Sequence, residues 1–303
     1  MSQVNSRSLK SKFFTSIVIV GLSAISAQSC STSRVSGWEK SVVGGGLSTA
    51  DLKKKKDKAL AHWNNRGTKS ELEASLKSFE EVAAASPNDL ESLNYLCHGN
   101  YFLADGHLTE PAAKKSVWEA GTAWCERALA TNAVFRKKVK EEGKKIEEAL
   151  DALTVNEVPA LYWGASNLGK WSRLSGISEL LANKNRIRLM IERVEALQPD
   201  YFYGAVPRYW GVYYAVAPSF AGGSLPKSEE NFQRSLKMTN DYFGTHVLIA
   251  DTLAPKKDDR ALFKKHLEFV INGKSAVLPD IVPEQDAEKR KAKKMLESME
   301  DYF

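Results

Sequence analysis

After residue 50, apolar residues recur at spacings of three and four, and alternating β-branched runs are absent, which is the pattern of amphipathic helices rather than strands. The segment LEASLKSFEEVAAASPND places Leu72, Leu76, Phe79 and Val82 on one face and stops at Pro87. Further on, Gly121, Trp124, Cys125, Ala128 and Leu129 share a face. So do Ile187, Met190, Ile191, Val194 and Leu197, in a segment that stops at Pro199. Phe232, Ser235, Leu236 and Thr239 form a fourth set, and Leu262, Phe263, Leu267 and Val270 a fifth, ended by Gly273. A final helix follows Pro283, with Ala292, Leu296 and Met299 as its narrow apolar stripe and proline suited to its first turn. The expected fold class is all-α.

Each of these helices follows another that is richer in aromatic and small residues. A small residue, an aromatic four later, an apolar residue three further and a proline five beyond that make the tetratricopeptide signature. Ser75, Phe79, Val82 and Pro87 fit it; Ser228, Phe232, Ser235 and Asn240 fit it loosely, with Asn240 where proline usually stands. The period is irregular, and insertions are expected around DGHLTEP (105–111) and LSGISELLANKN (174–185). The reading is an α-solenoid of four or five degenerate tetratricopeptide-like hairpins with a C-terminal capping helix.

Two aromatic segments carry the same phrase. PALYWGASNLGKW (159–171) and PRYWGVYY (207–214) both run proline, spacer, Tyr-Trp-Gly, so Trp163 and Trp210 occupy equivalent places in successive units. Charge is excluded from 158–169, and Arg208 is the lone charge between Tyr201 and Pro226. The helical spacing favours repeat core. Yet Tyr209, Trp210, Val212, Tyr213, Tyr214 and Val216 cover most of a helix circumference, and a helix apolar all round is buried on every side or lines a cavity. Core and cavity wall both remain open for these residues. Gly222 and Gly223 mark a turn between two helices.

The N-terminus reads as an export signal. Arg7, Lys10 and Lys12 precede the apolar run FFTSIVIVGLSAISA, which ends in AQSC; the run suits a signal peptide and is short for a membrane span. The expected organisation is a lipoprotein signal peptide over 1–29, lipidation of Cys30, a polar and glycine-rich flexible tether over 30–50, and a helical domain over 51–303. Ser31, rather than an acidic residue, follows the cysteine, which by similarity to bacterial lipoproteins favours the outer membrane. Cys97 and Cys125 fall on successive predicted helices; a disulfide suits an exported protein, and two buried thiols are the alternative.

The formal net charge of the 303 residues is +6. Three of those charges leave with the signal peptide, and the small remainder is unlike the clustered basic excess of a nucleic-acid binder. LKKKKDKA (52–59) reads as a solvated helix face. His62, His98, His107, His246 and His266 show no metal-ligand spacing, so no metal is expected. With no glycine-rich phosphate loop and no nucleophile beside a base, neither a cofactor nor an enzymatic activity is expected.

The lipoprotein signal, VPALYWGASNLGKW, YFYGAVPRYWGVYYAVAPSFAGGSLPKSEENFQRSL and FGTHVLIADTLAPKKDDRALFKKHLEFVI, in that order, together resemble the T component of tripartite ATP-independent periplasmic (TRAP) transporters, the TatT family. The resemblance is strongest from Pro159 to Ile271. It implies a periplasm-facing lipoprotein of cryptic tetratricopeptide hairpins and a homotrimer with a central opening. It also implies association with a periplasmic solute-binding subunit, and a small hydrophobic organic acid as ligand. By the same resemblance Tyr162, Trp163, Trp210, Tyr213 and Tyr214 are ligand- or pore-lining candidates, with Trp171 at the end of the first segment beside them. The alternative is a tetratricopeptide scaffold lipoprotein for envelope assembly that binds no small ligand.

Overall fold

A computed structural model describes residues 34–39 and 46–303. The expected signal peptide and the Cys30 lipidation site lie outside the described residues, as does about half of the tether. Within the described residues the chain is helical and contains no β-strand. The α-helices are α1 (Thr49–Asn64), α2 (Lys69–Ala85), α3 (Leu90–Phe102), α4 (Pro111–Leu129), α5 (Ala133–Arg136), α6 (Val158–Ser175), α7 (Ile177–Leu197), α8 (Tyr201–Val216), α9 (Leu225–Met238), α10 (Phe243–Leu248), α11 (Ala254–Lys256), α12 (Arg260–Asn272) and α13 (Val282–Glu297).

Local sequence sets where these helices begin. Side chains of Ser48, Asp89, Asn132, Ser224 and Asp259 accept backbone N–H groups in the first turns of α1, α3, α5, α9 and α12, supplying acceptors for donors that a helix start leaves open. Proline occupies the first turn of α4, α6, α9 and α13, where its missing N–H costs nothing. The helices pack as hairpins, α1 on α2, α3 on α4, α6 on α7 and α8 on α9. Two of these hairpins share a detail. Ser75 of α2 donates to the Ala59 carbonyl at 2.9 Å, and Ser228 of α9 donates to the Gly211 carbonyl at 2.7 Å. Four residues after each serine stands a fully buried phenylalanine, Phe79 or Phe232. A Cβ on Gly211 would lie 2.8 Å from the Phe232 ring, so glycine is what lets this ring seat against α8. Between α3 and α4, Cys97 and Cys125 form a disulfide with their Cα atoms 4.9 Å apart; closing a loop of this size stabilises by about 3 kcal/mol in the chain-entropy account.

In three places the structure differs from what the sequence suggested. The segment expected as an insertion around LSGISELLANKN is mostly helix: only Gly176, at φ +109°, interrupts it, and α7 starts at the next residue. Its Leu, Ala, Glu and Lys are good helix formers, and the Asn183 amide is absorbed by donating to the Glu179 carbonyl at 2.9 Å. The basic run of α1 is more than a solvated face. Lys55 pairs with Glu81, and Lys56 with Asp89 at 2.9 Å and Glu91 at 2.7 Å, tying α1 to α2 and to the start of α3. Finally, α13 does more than cap the end of the array. It packs on α10 and α12, and its first turn returns to the first hairpin, where Glu284 takes Arg66 Nε at 2.8 Å and Nη2 at 3.0 Å. Arg66 also donates to the Asp280 carbonyl at 2.6 Å. Segments more than two hundred residues apart in sequence therefore meet, and a space lies between the helices they belong to.

Candidate functional site

That space is a cavity of about 630 Å³ lined from α3, α6, α8, α10 and α13, a size typical of small-molecule pockets. Its aromatic wall is built around Trp163. His98 stacks on the Trp163 ring at 3.9 Å, Tyr101 approaches it at 5.0 Å and Tyr162 at 4.9 Å. Burial, together with the charge of Arg66, lowers the His98 pKa to about 3, so its ring is a neutral stacking partner at physiological pH.

Arg208, 3% exposed, is the polar centre of this wall. Just before it, Phe202, Tyr203 and Gly204 adopt left-handed conformations at φ 43°, 57° and 74°. Left-handed phenylalanine and tyrosine cost roughly 1–3 kcal/mol each and persist only where the surroundings hold them. Here they turn two carbonyls onto Arg208. Its Nη1 donates to the Tyr203 carbonyl at 2.9 Å and, more distantly, to Thr245 Oγ1 at 3.5 Å; its Nη2 donates to the Phe202 carbonyl at 3.1 Å and to the Tyr162 hydroxyl at 3.3 Å. The guanidinium lies over the Tyr242 ring, 4.2 Å from its centroid. Every one of these partners is neutral. Burial pushes the Tyr242 hydroxyl up against the opposing pull of Arg208, and pushes the Tyr101 hydroxyl well up too, so neither supplies a phenolate. A buried cation without a counter-charge is costly, by several kcal/mol in real proteins.

The opposite side of the cavity is polar, and most of its buried charge is paired. A wide π-helical turn, Leu103–His107, follows α3 and carries Asp105. Asp105 is clamped between Lys170 at 3.1 Å and Lys291, and Lys291 also meets Glu288 at 2.8 Å. Burial would raise the Asp105 carboxyl, but the two lysines outweigh it and hold it well below the usual carboxylate range. The charges of Asp105, Glu288, Lys170 and Lys291 cancel, and Lys114, Arg290 and Lys294 also line this side. Among the described residues no group of three or more His, Cys, Asp or Glu gathers as a metal site.

Of the residues singled out in sequence, Tyr162 and Trp163 line this cavity, and Trp171, Trp210, Tyr213 and Tyr214 stand outside its lining. Trp171 is buried in the main core. Trp210 is buried and donates from Nε1 to Glu195 at 3.2 Å. Tyr213 donates to the Ala221 carbonyl at 3.0 Å with Lys184 over its ring, and Lys227 lies over Tyr214. These three form a continuous aromatic ladder with Tyr209 on α8. The sequence reading placed neither Arg208 nor Tyr242, Tyr101 or His98 in the site. For Arg208 a signal existed, since it is the lone charge in a long uncharged stretch. The other three have none, because they converge only when distant segments meet.

The family model described as TRAP transporter T-component matches residues 106–303, a span that includes Tyr162, Trp163, Arg208 and Tyr242. An uncharacterized protein of Treponema pallidum (strain Nichols) is 25% identical over 150 residues, 49% of this chain. The chain spans 45% of the length of that relative. With about two thirds of its length matched by that family model, the chain belongs to the TRAP transporter T-component family.

Proposed function

We propose that this T component docks a periplasmic solute-binding subunit of its transporter and offers a small hydrophobic organic acid a resting site or path through the cavity around Trp163. The observation that carries the reading is the cavity itself, walled by Tyr101, Tyr162, Trp163 and Tyr242 in a chain of a transport family. The chain is held to the periplasmic side of the envelope, at the outer membrane, by lipid on Cys30. Among the described residues no helix is long and apolar enough to cross a membrane. The hairpins are degenerate tetratricopeptide units; the matching Ser75–Phe79 and Ser228–Phe232 placements support this. Ile177, Leu181 and Phe220, exposed by 68%, 63% and 92%, offer apolar surface for self-association as a trimer.

Docking is tested by purifying the chain at low salt with the solute-binding proteins of the same cell. One of them is expected to co-purify. A clean failure with all of them contradicts docking and leaves the scaffold alternative standing. Light scattering checks assembly: the expected mass is three times that of the chain, and a monomer at micromolar concentration removes the trimer.

A further inference from the structure

We propose that Arg208 is the anion anchor of this cavity, and that its ligand is a monocarboxylate with an apolar body. The inference rests on the reading that the cavity holds a small hydrophobic organic acid, and it adds which side chain receives the acid group.

The first support is the contrast among the cations around the cavity. Arg66 has Glu284 at 2.8 Å. Lys170 has Asp105 at 3.1 Å, and Lys291 has Asp105 and Glu288. Arg208, more buried than any of these lysines, forms no ion pair with a carboxylate among the described residues; its partners are two carbonyls, two hydroxyls and a ring face. Buried charge is normally paired, and guanidinium is suited to receive a carboxylate through parallel N–H donors. Its bonds to Tyr162 and Thr245, at 3.3 and 3.5 Å, are the long ones that an incoming oxygen can replace.

The second support is the backbone. The left-handed run at Phe202 to Gly204 fixes the carbonyls that orient Arg208. Strain of this kind clusters where a ligand clamp must be held in place. Tyr162, which accepts from Arg208, retains its own O–H as a donor to the same anion.

The third support is the remaining wall. The Lys170 and Lys291 charges are met by Asp105 and Glu288; Lys114, Arg290 and Lys294 also line the cavity, and Arg208 is the buried cation on its aromatic side. Trp163, Phe102, Val247 and Leu248 provide apolar lining. An anionic head at Arg208 and an apolar body along this lining fit that arrangement; succinate has no apolar body to fill it.

The test measures binding of 4-phenylbutyrate, its primary amide and succinate to the purified chain by calorimetry at neutral pH. The carboxylate is expected to bind roughly tenfold or more tighter than the amide, as for a hydrogen bond to a charged group, and succinate to bind weakly or not at all. Arg208→Gln, which keeps N–H donors for the two carbonyls, is expected to erase the difference between acid and amide. Arg208→Lys is expected to retain part of it. If Arg208→Gln does not fold, Tyr162→Phe is the second variant, with a several-fold loss for the acid and none for the amide. Equal binding of acid and amide to the unmodified chain overturns the anchor and leaves the cavity reading intact. Tighter binding of succinate than of 4-phenylbutyrate overturns the monocarboxylate assignment. No binding of any probe to the folded chain overturns the cavity reading and the anchor with it.

Discussion

The phrase Tyr-Trp-Gly occurs twice, in α6 and in α8, and the two copies do different things. In α6, Tyr162 and Trp163 line the cavity. In α8, Trp210 is spent on packing and a bond to Glu195, and it is Arg208, two residues earlier, that reaches the cavity. The glycine is the shared part. A Cβ on Gly164 would lie 3.2 Å from Cys125 Cβ, and one on Gly211 would lie 2.8 Å from the Phe232 ring. Both copies of the phrase thus use their glycine to admit a neighbouring side chain, while the aromatics beside it diverge between core and cavity. Equivalence of sequence position is a statement about packing; whether a residue meets the cavity depends on how distant segments meet.

The comparison can be broken or sharpened by substitution. The largest expected effect is Trp210→Ala, which should destabilise the chain by about 3–5 kcal/mol in urea unfolding. Ligand affinity measured well below the transition should be nearly unchanged. A selective loss of binding would move Trp210 out of the core role. Next, Cys97→Ser combined with Cys125→Ser should cost about 3 kcal/mol, because the disulfide joins the helices against which Gly164 packs; an unchanged urea midpoint would remove the bond from the account. Gly204→Ala, at φ +74° with its new Cβ 3.0 Å from Ser235 Oγ, should cost about 2 kcal/mol. Because it displaces the carbonyls around Arg208, it should also weaken acid binding more than amide binding.

A further effect is pH-dependent and rests on two buried histidines, His98 beside the α6 copy and His266 on α12. Burial, with Arg66, lowers His98 to about 3, and burial, with His246, lowers His266 to about 4. Both are neutral in the folded chain while an unfolded histidine protonates near 6.5. Their contribution to stability is therefore complete above pH 6.5 and is lost as pH falls through the window down to those values, by up to about 1.4 kcal/mol per pH unit for each histidine. Urea midpoints at pH 7 and pH 5 should show the loss, and His98→Gln should flatten part of it. A slope that does not change in the variant would place the pH dependence elsewhere.

Much of the fold was legible because helical periodicity, capping residues and proline stops are local. The spacing of Ser75 and Phe79, and of Ser228 and Phe232, identified the residues that later meet across a hairpin. The helix through 177–185 was misread as an insertion because Gly176 and the two asparagines look like breakers, although only the glycine breaks. The candidate site was half legible. Tyr162 and Trp163 stood in an uncharged segment and line the cavity, whereas Trp210, Tyr213 and Tyr214 shared the same local pattern and lie outside its lining. The pairing of Arg66 with Glu284 joins distant segments and could not be seen in sequence, since 218 residues separate them. Tyr101 and Tyr242 depend on that closure. Arg208 was visible as an isolated charge, but its lack of a carboxylate partner is a property of the folded chain only.

The central claim is that the α6 copy of the phrase faces a solute and the α8 copy does not. Intrinsic tryptophan fluorescence titrated with 4-phenylbutyrate tests it, in the unmodified chain, in Trp163→Phe and in Trp210→Phe. The account predicts a saturable change in the unmodified chain that survives in Trp210→Phe and is largely lost in Trp163→Phe. A change that persists in Trp163→Phe and disappears in Trp210→Phe would contradict it.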